Sequence, residues 1–152
     1  MKRQTKAQKF NDLANAYHQI RRGEPVKRIG AKDRSIRTHA VVPVDPKKLE
    51  REVLADCLVW LIMHSVFCQR HDSGSFQNER GQWGTYGIKN AGDIIGILKP
   101  NGRHFEVETK RGSGGRLSEG QQKRMKDVHE FGGLYFVVHG TEELEHYMGE
   151  WI

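Results

Sequence analysis

The sequence predicts an α/β fold in which helices flank a mixed sheet, and three observations carry that prediction. Apolar residues recur at helical spacing over 45–64. Two strand-like runs, Asp93 to Leu98 and Arg103 to Lys110, flank an Asn101-Gly102 pair, the strongest short hairpin signal. A capped helical segment then leads into the continuous apolar run Leu134 to Val138, which suits a buried strand.

The elements follow in chain order. Phe10, Leu13, Tyr17 and Ile20 fall at helical spacing and Gly23 stands where a helix would stop, so a short amphipathic helix is expected from about Lys6 to Arg22. Residues 24–40 read as an extended basic linker. Asp45-Pro46 supplies an acceptor at an N-cap and a proline at the first helical position, with the helix running to about His64. Leu49, Val53, Leu54, Cys57, Leu58 and Leu61 form its apolar stripe. Ser65 to Arg70 reads as a strand, and 72–92, rich in Gly, Ser, Asn and Gln, as a long polar loop. Gly112 to Gly115 is a glycine-rich turn. Ser118-Glu-Gly-Gln121 has capping-box spacing and opens a helix that Gly132-Gly133 ends. Thr141 starts a last helix, Glu142 to about Gly149. Two parts are therefore expected: a basic arm, 1–44, and a domain, 45–152.

The 152-residue chain is long enough for one hydrophobic core. No run is apolar for long enough to span a bilayer, and the first residues show no secretory pattern. Cys57 and Cys68 are too few for a disulfide framework and read as core residues. A cytoplasmic setting and no membrane partner are the expectation. Charge is unevenly placed. Residues 1–40 hold eleven Lys/Arg against three acids, whereas 41–152 hold 14 against 16. A basic arm, Lys27 and Arg28 among its residues, suggests a polyanionic partner such as nucleic acid, or else a solvated tail.

The hairpin brings chemistry together. If it turns on Asn101-Gly102, Asp93 faces Lys110 and lies diagonal to Glu108, and alternation puts Asp93, Glu106, Glu108 and Lys110 on one face. Two carboxylates so placed can share a hard divalent cation, Mg²⁺ being suited to carboxylate and phosphate oxygens and Mn²⁺ not separable by ligand type. Such an ion neutralises a scissile phosphate and acidifies water, and Lys110 would stabilise developing charge. Asp, about fifteen residues, then Glu-x-Lys is a pattern of phosphodiester hydrolysis, although a cross-strand salt bridge has the same residues.

From Glu50 onward the chain resembles the VRR-NUC family, the virus-type replication-repair nuclease module of the PD-(D/E)XK superfamily. Glu50-x-x-Val53 with Trp60-Leu61, Arg70-His-Asp-Ser73-Gly74, and Gly92-Asp93-Ile-Ile-Gly-Ile carry the resemblance. Gly102 to Lys110, Gly115-Arg-Leu-Ser118-Glu-Gly-Gln121 and Gly132-Gly133-Leu-Tyr-Phe-Val-Val continue it. It implies a restriction-endonuclease-like core with Asp93 and Glu108 as metal ligands and Lys110 as the catalytic lysine. Glu50 would be the additional acid, preferred over Glu52 by its spacing to Val53, and Gln121 would position Lys110, water or phosphate. Leu54 stands where many relatives carry Gln. Glu106 is an extra acid, open to a second-metal role or plain exposure. Arg70 and Ser73 either contact phosphate beside the cleft or form a turn closing the strand, and Arg111 and Arg116 either touch DNA backbone or line a solvated loop. Trp83 and Tyr86 either stack on an unpaired base or cover the sheet edge.

The activity implied is that of a Mg²⁺-dependent endodeoxyribonuclease, structure-selective on branched DNA such as Holliday junctions, acting as a homodimer in a bacterial or phage-infected cell. A sequence-specific restriction or homing-type endonuclease and a catalytically silent DNA-binding factor are the alternatives.

Overall fold

A computed structural model describes residues 5–24 and 33–152. The chain divides into two compact units, 1–31 and 32–152. The division falls before the expected 44/45 boundary, because residues 33–44 belong with the second unit. The first contains α1 (Lys6–Arg21), capped by Thr5, whose side chain accepts from the Gln8 amide. Phe10, Leu13, Tyr17 and Ile20 are exposed along it.

The second unit contains β1 (Ile36–Arg37), α2 (Glu50–Met63), β2 (Phe67–Arg70), β3 (Gly74–Gln77), β4 (Trp83–Tyr86), β5 (Ile94–Leu98), β6 (Arg103–Thr109), β7 (Arg116–Leu117), α3 (Glu119–Glu130), β8 (Leu134–Val138) and α4 (Thr141–Met148), with a short 3-10 turn at Gly149–Trp151. Four strands form the main sheet in the order β2-β5-β6-β8. The first two pairings are antiparallel and β6 runs parallel to β8, so the sheet is mixed. One face carries Phe105, Val107, Ile94, Leu98 and Val138, packed with Val53, Cys57 and Leu61 of α2 and Leu144 and Met148 of α4. The other meets α3. The fold is thus mixed α/β with helices flanking a mixed sheet. Among the described residues no helix is long and apolar enough to cross a membrane.

Four local expectations are corrected. Asp45-Pro46 forms a turn ahead of α2: the Asp45 carboxylate accepts from the Lys47 amide (2.9 Å). The helix starts at Glu50, where the Glu52 side chain accepts from the Leu49 amide (2.8 Å). Part of the supposed linker is a strand, Ile36 and Arg37 pairing with Leu117 and Arg116. The stretch 72–92 is not one loop, since β3 and β4 pair within it as a separate hairpin.

The fourth correction is the β5–β6 register. Leu98 pairs with Arg103, leaving a four-residue connection, Lys99 to Gly102. A type I′ turn needs positive φ at both central residues, and of Asn101 and Gly102 only the glycine has it, at +67°. The shift of two residues preserves the faces, which alternate with period two, and changes who meets whom. The ladder ends at Ile94↔Val107, and Asp93, at the bend before it, bonds the amide and hydroxyl of Thr109.

Candidate active site

Four elements deliver side chains to one place. Asp93 stands at the bend before β5, Glu108 is the penultimate residue of β6, and Lys110 follows that strand. Ser118 caps α3 reciprocally with Gln121, which fixes the first turn of that helix over the sheet. Glu50 opens α2. Lys110 and Gln121 bond Glu108 directly, whereas Asp93 and Glu50 act on its carboxyl through their charge.

Glu108 is the hub. Its Oε1 accepts from Lys110 Nζ at 2.6 Å and from Gln121 Nε2 at 2.5 Å, and the Tyr135 hydroxyl lies 3.4 Å from Oε2. Asp93 is half-buried. Its Oδ2 accepts from both the amide and the hydroxyl of Thr109, each at 2.7 Å, and a carboxylate has lone pairs on its second oxygen for a further ligand. Burial, then the charge of Asp93, raise the Glu108 carboxyl, Lys110 opposes them and Glu50 adds to the rise, the net result being about 7. The acids thus crowd negative charge that one ammonium does not fully offset. Glu50 itself is exposed, and Glu52 is engaged at the helix start.

A hard cation fits this donor set. The oxygens come from carboxylates, and Glu108 carries a surplus of like charge around it. Among the described residues no three His, Cys, Asp or Glu side chains meet in ligand geometry. Mg²⁺ needs only one or two carboxylates together with water and phosphate oxygens, and Asp93 and Glu108 would be those two.

Glu106 is neither exposed nor a free ligand. It is fully buried, with Oε1 bonded to Arg124 Nε (3.0 Å) and His104 Nε2 (2.9 Å) and Oε2 accepting from the Gly92 amide (2.9 Å). Burial raises its carboxyl, but Arg124, His104 and the Gly92 amide outweigh that and hold it below the ordinary range. The network ties α3 to the residue preceding Asp93.

The expected DNA contacts are scattered. Arg70 pairs with Asp72 (3.0 Å), and Ser73 is exposed between β2 and β3. Arg111 Nε donates to the Gly114 carbonyl (2.9 Å) and closes the glycine turn. Arg116 donates to the Ser35 hydroxyl (2.6 Å) and carbonyl (2.8 Å), holding residue 35 beside β7. Lys27 and Arg28 lie outside the described residues. Cys57 sits in the core, where burial pushes its thiol up to about 12, so it is inert at neutral pH.

Sequence reasoning missed three participants. Arg124 follows Gln121 by one helical turn and so shares its face, a signal that was present. Tyr135 pairs with Glu106 across β6 and β8, which alternation along β8 would have exposed once its partner was known. Thr109 points away from the acids by alternation, and only the bend at Asp93 brings the two together. Comparison of the chain with protein-family models, with characterised proteins and with solved structures finds no match to any of them.

Proposed function

We propose that this protein is a divalent-cation-dependent endodeoxyribonuclease built on a PD-(D/E)XK-type core. The observation that carries the reading is the buried Glu108, held between Lys110 and Gln121 with Asp93 across the hairpin. A cation on Asp93 and Glu108, when bound, supplies neutralisation of phosphate charge and acidification of water. Lys110, held at Glu108, would offer its ammonium to the charge that grows on a phosphate during hydrolysis. Gln121 keeps the Glu108 carboxylate from rotating. Glu50, exposed at the mouth, faces solvent and substrate.

Branched DNA is the proposed substrate, with a homodimer as the acting form. A four-way junction presents more phosphates than a linear duplex, and the basic excess in 1–40 is rewarded in proportion to the phosphates contacted. Incubation with labelled junction, flap, single-stranded and duplex DNAs, with Mg²⁺ or with EDTA, tests the reading. Cleavage that requires the cation and is fastest on the junction is expected. Absence of cleavage on every substrate, or equal cleavage by Asp93→Ala, overturns it.

A further inference from the structure

The β3–β4 hairpin stands outside the main sheet and shows an arrangement that packing alone does not call for. Its register pairs Gly74 with Tyr86 and Phe76 with Gly84, and alternation sets these four on one face. Each ring covers the glycine opposite it. A Cβ on Gly84 would come within 2.7 Å of the Phe76 ring, and one on Gly74 within 2.7 Å of the Tyr86 hydroxyl oxygen and 2.9 Å of its ring. The glycines therefore let two aromatic rings settle onto bare backbone, while Phe76 and Tyr86 stay 51% and 53% exposed. Ser75, Gln77, Trp83 and Thr85 make up the other face.

The hairpin is also tied to the candidate site. It begins directly after β2 and its return leads to Asp93. At its root the His71 amide donates to the Asp93 carbonyl (2.7 Å), and the Ile88 amide donates to His71 Nε2 (2.9 Å). Exposed Arg80 stands at the tip next to Glu79, Lys89 is exposed at the return, and Asp72 at the root is paired with Arg70, so the bases exceed the acids by one. Two half-exposed rings on a thin support, with exposed Ile88 two residues beyond Tyr86 and a cation toward either end of the hairpin, suit planar aromatic ligands on a polyanion. Every nucleobase has a π face, so such a platform accepts unpaired bases of any sequence.

We infer that Phe76 and Tyr86 form a stacking platform for unpaired nucleobases beside the candidate active site. This rests on the nuclease reading and deepens it: the substrate class becomes DNA with unpaired nucleotides next to the cleaved bond, as at a flap or an opened branch point.

Affinity of the full-length protein for fluorescent single-stranded and blunt duplex DNA, measured by anisotropy in EDTA, is the test, with 2-aminopurine emission reporting stacking. Phe76→Leu with Tyr86→Leu keeps an apolar cover on both glycines and removes the π faces. It is expected to cut the single-strand preference by roughly tenfold per ring and to abolish the quenching of 2-aminopurine. The exchange Phe76→Tyr with Tyr86→Phe should retain both, and Trp83→Leu on the opposite face should leave them in place. An unchanged preference in the double-leucine variant, or an equal loss in Trp83→Leu or in the exchange, overturns the platform. Nicking by the wild-type protein with Mg²⁺ is scored in parallel. Nicking without single-strand preference removes the platform alone, and platform binding without nicking removes the nuclease reading alone.

Discussion

Lys110 Nζ lies 2.6 Å from Glu108 Oε1, and both side chains are more than nine-tenths buried. Two residues apart on one strand end, they form an ion pair inside the protein, where breaking a pair costs far more than the pair itself contributes. A buried lysine serving only stability is easily replaced by an apolar residue, whereas one with the proposed role toward phosphate is not. Lys110→Ala and Asp93→Ala are each expected to lower DNA cleavage by at least about a hundredfold while leaving DNA affinity in EDTA within a factor of about three. Single-turnover cleavage and anisotropy measure the two. Undiminished cleavage by either variant would remove the catalytic assignment.

The raised Glu108 carboxyl makes a prediction of opposite sign to that of a usual carboxylate. Folded, it titrates near 7; its ordinary value is 4.5. Between those values the folded state binds more protons than the unfolded one, so this group's contribution to stability falls as pH rises through that window and then stays low. The full effect is on the order of 3 kcal/mol, at about 1.4 kcal/mol per pKa unit. Thermal melts in EDTA from pH 5 to pH 8 should show wild type losing stability relative to Glu108→Gln as pH rises. Adding Mg²⁺ at pH 8 should restore it by binding the folded state. A difference between the two proteins that does not change with pH refutes this account.

Glu106 predicts a large structural loss. Its carboxylate is fully buried and bonded to Arg124, His104 and the Gly92 amide. Glu106→Ala leaves a largely buried guanidinium and a buried amide without their acceptor, so a destabilisation of about 3–5 kcal/mol is expected. Denaturant titration measures it; a loss below about 1 kcal/mol would mean that the network contributes nothing beyond its parts.

How much of this was legible beforehand differs by element, for physical reasons. The helix at 119–130 announces itself through Ser118 and Gln121, because a capping box is local and depends on nothing distant. The faces of β5 and β6 were legible too, since period-two alternation survives a shift of two residues. What failed was the step needing a turn type: Asn101-Gly102 signals a hairpin, but the backbone places only Gly102 at positive φ. Asp93 thereby loses its expected place opposite Lys110 and bonds Thr109 from the bend before β5. The β3–β4 hairpin was hidden because half of its facing pairs contain glycine. Its apolar alternation reads as loop composition until the rings are seen lying on those glycines. The pairing of Glu106 with Arg124 is a contact between a strand and a helix: spacing sets Arg124 on the face of Gln121 but does not say which strand residue it meets.

Gly112 couples the end of β6 to the turn that opens α2, and a single methyl group tests that coupling. Its amide donates to the Lys48 carbonyl (2.9 Å), and a Cβ there would lie 1.9 Å from the Asp45 carbonyl oxygen. The obstacle is backbone, so it cannot rotate away as a side chain could. Gly112→Ala must push the Asp45 to Lys48 turn outward, and with it the start of α2 that carries Glu50. Overpacking of this kind costs about 1–3 kcal/mol, and displacement of a charged group around a reaction by about 1 Å can cost roughly a hundredfold in rate. Gly112→Ala is therefore expected to melt earlier and to cleave far more slowly than its lost stability explains, at a temperature where it is fully folded. Gly102→Ala has open space around its Cβ and differs only by its positive φ, so it should lose stability without a comparable loss of rate. If both variants lose rate only in step with stability, the contact at Gly112 holds the fold together without setting the position of Glu50.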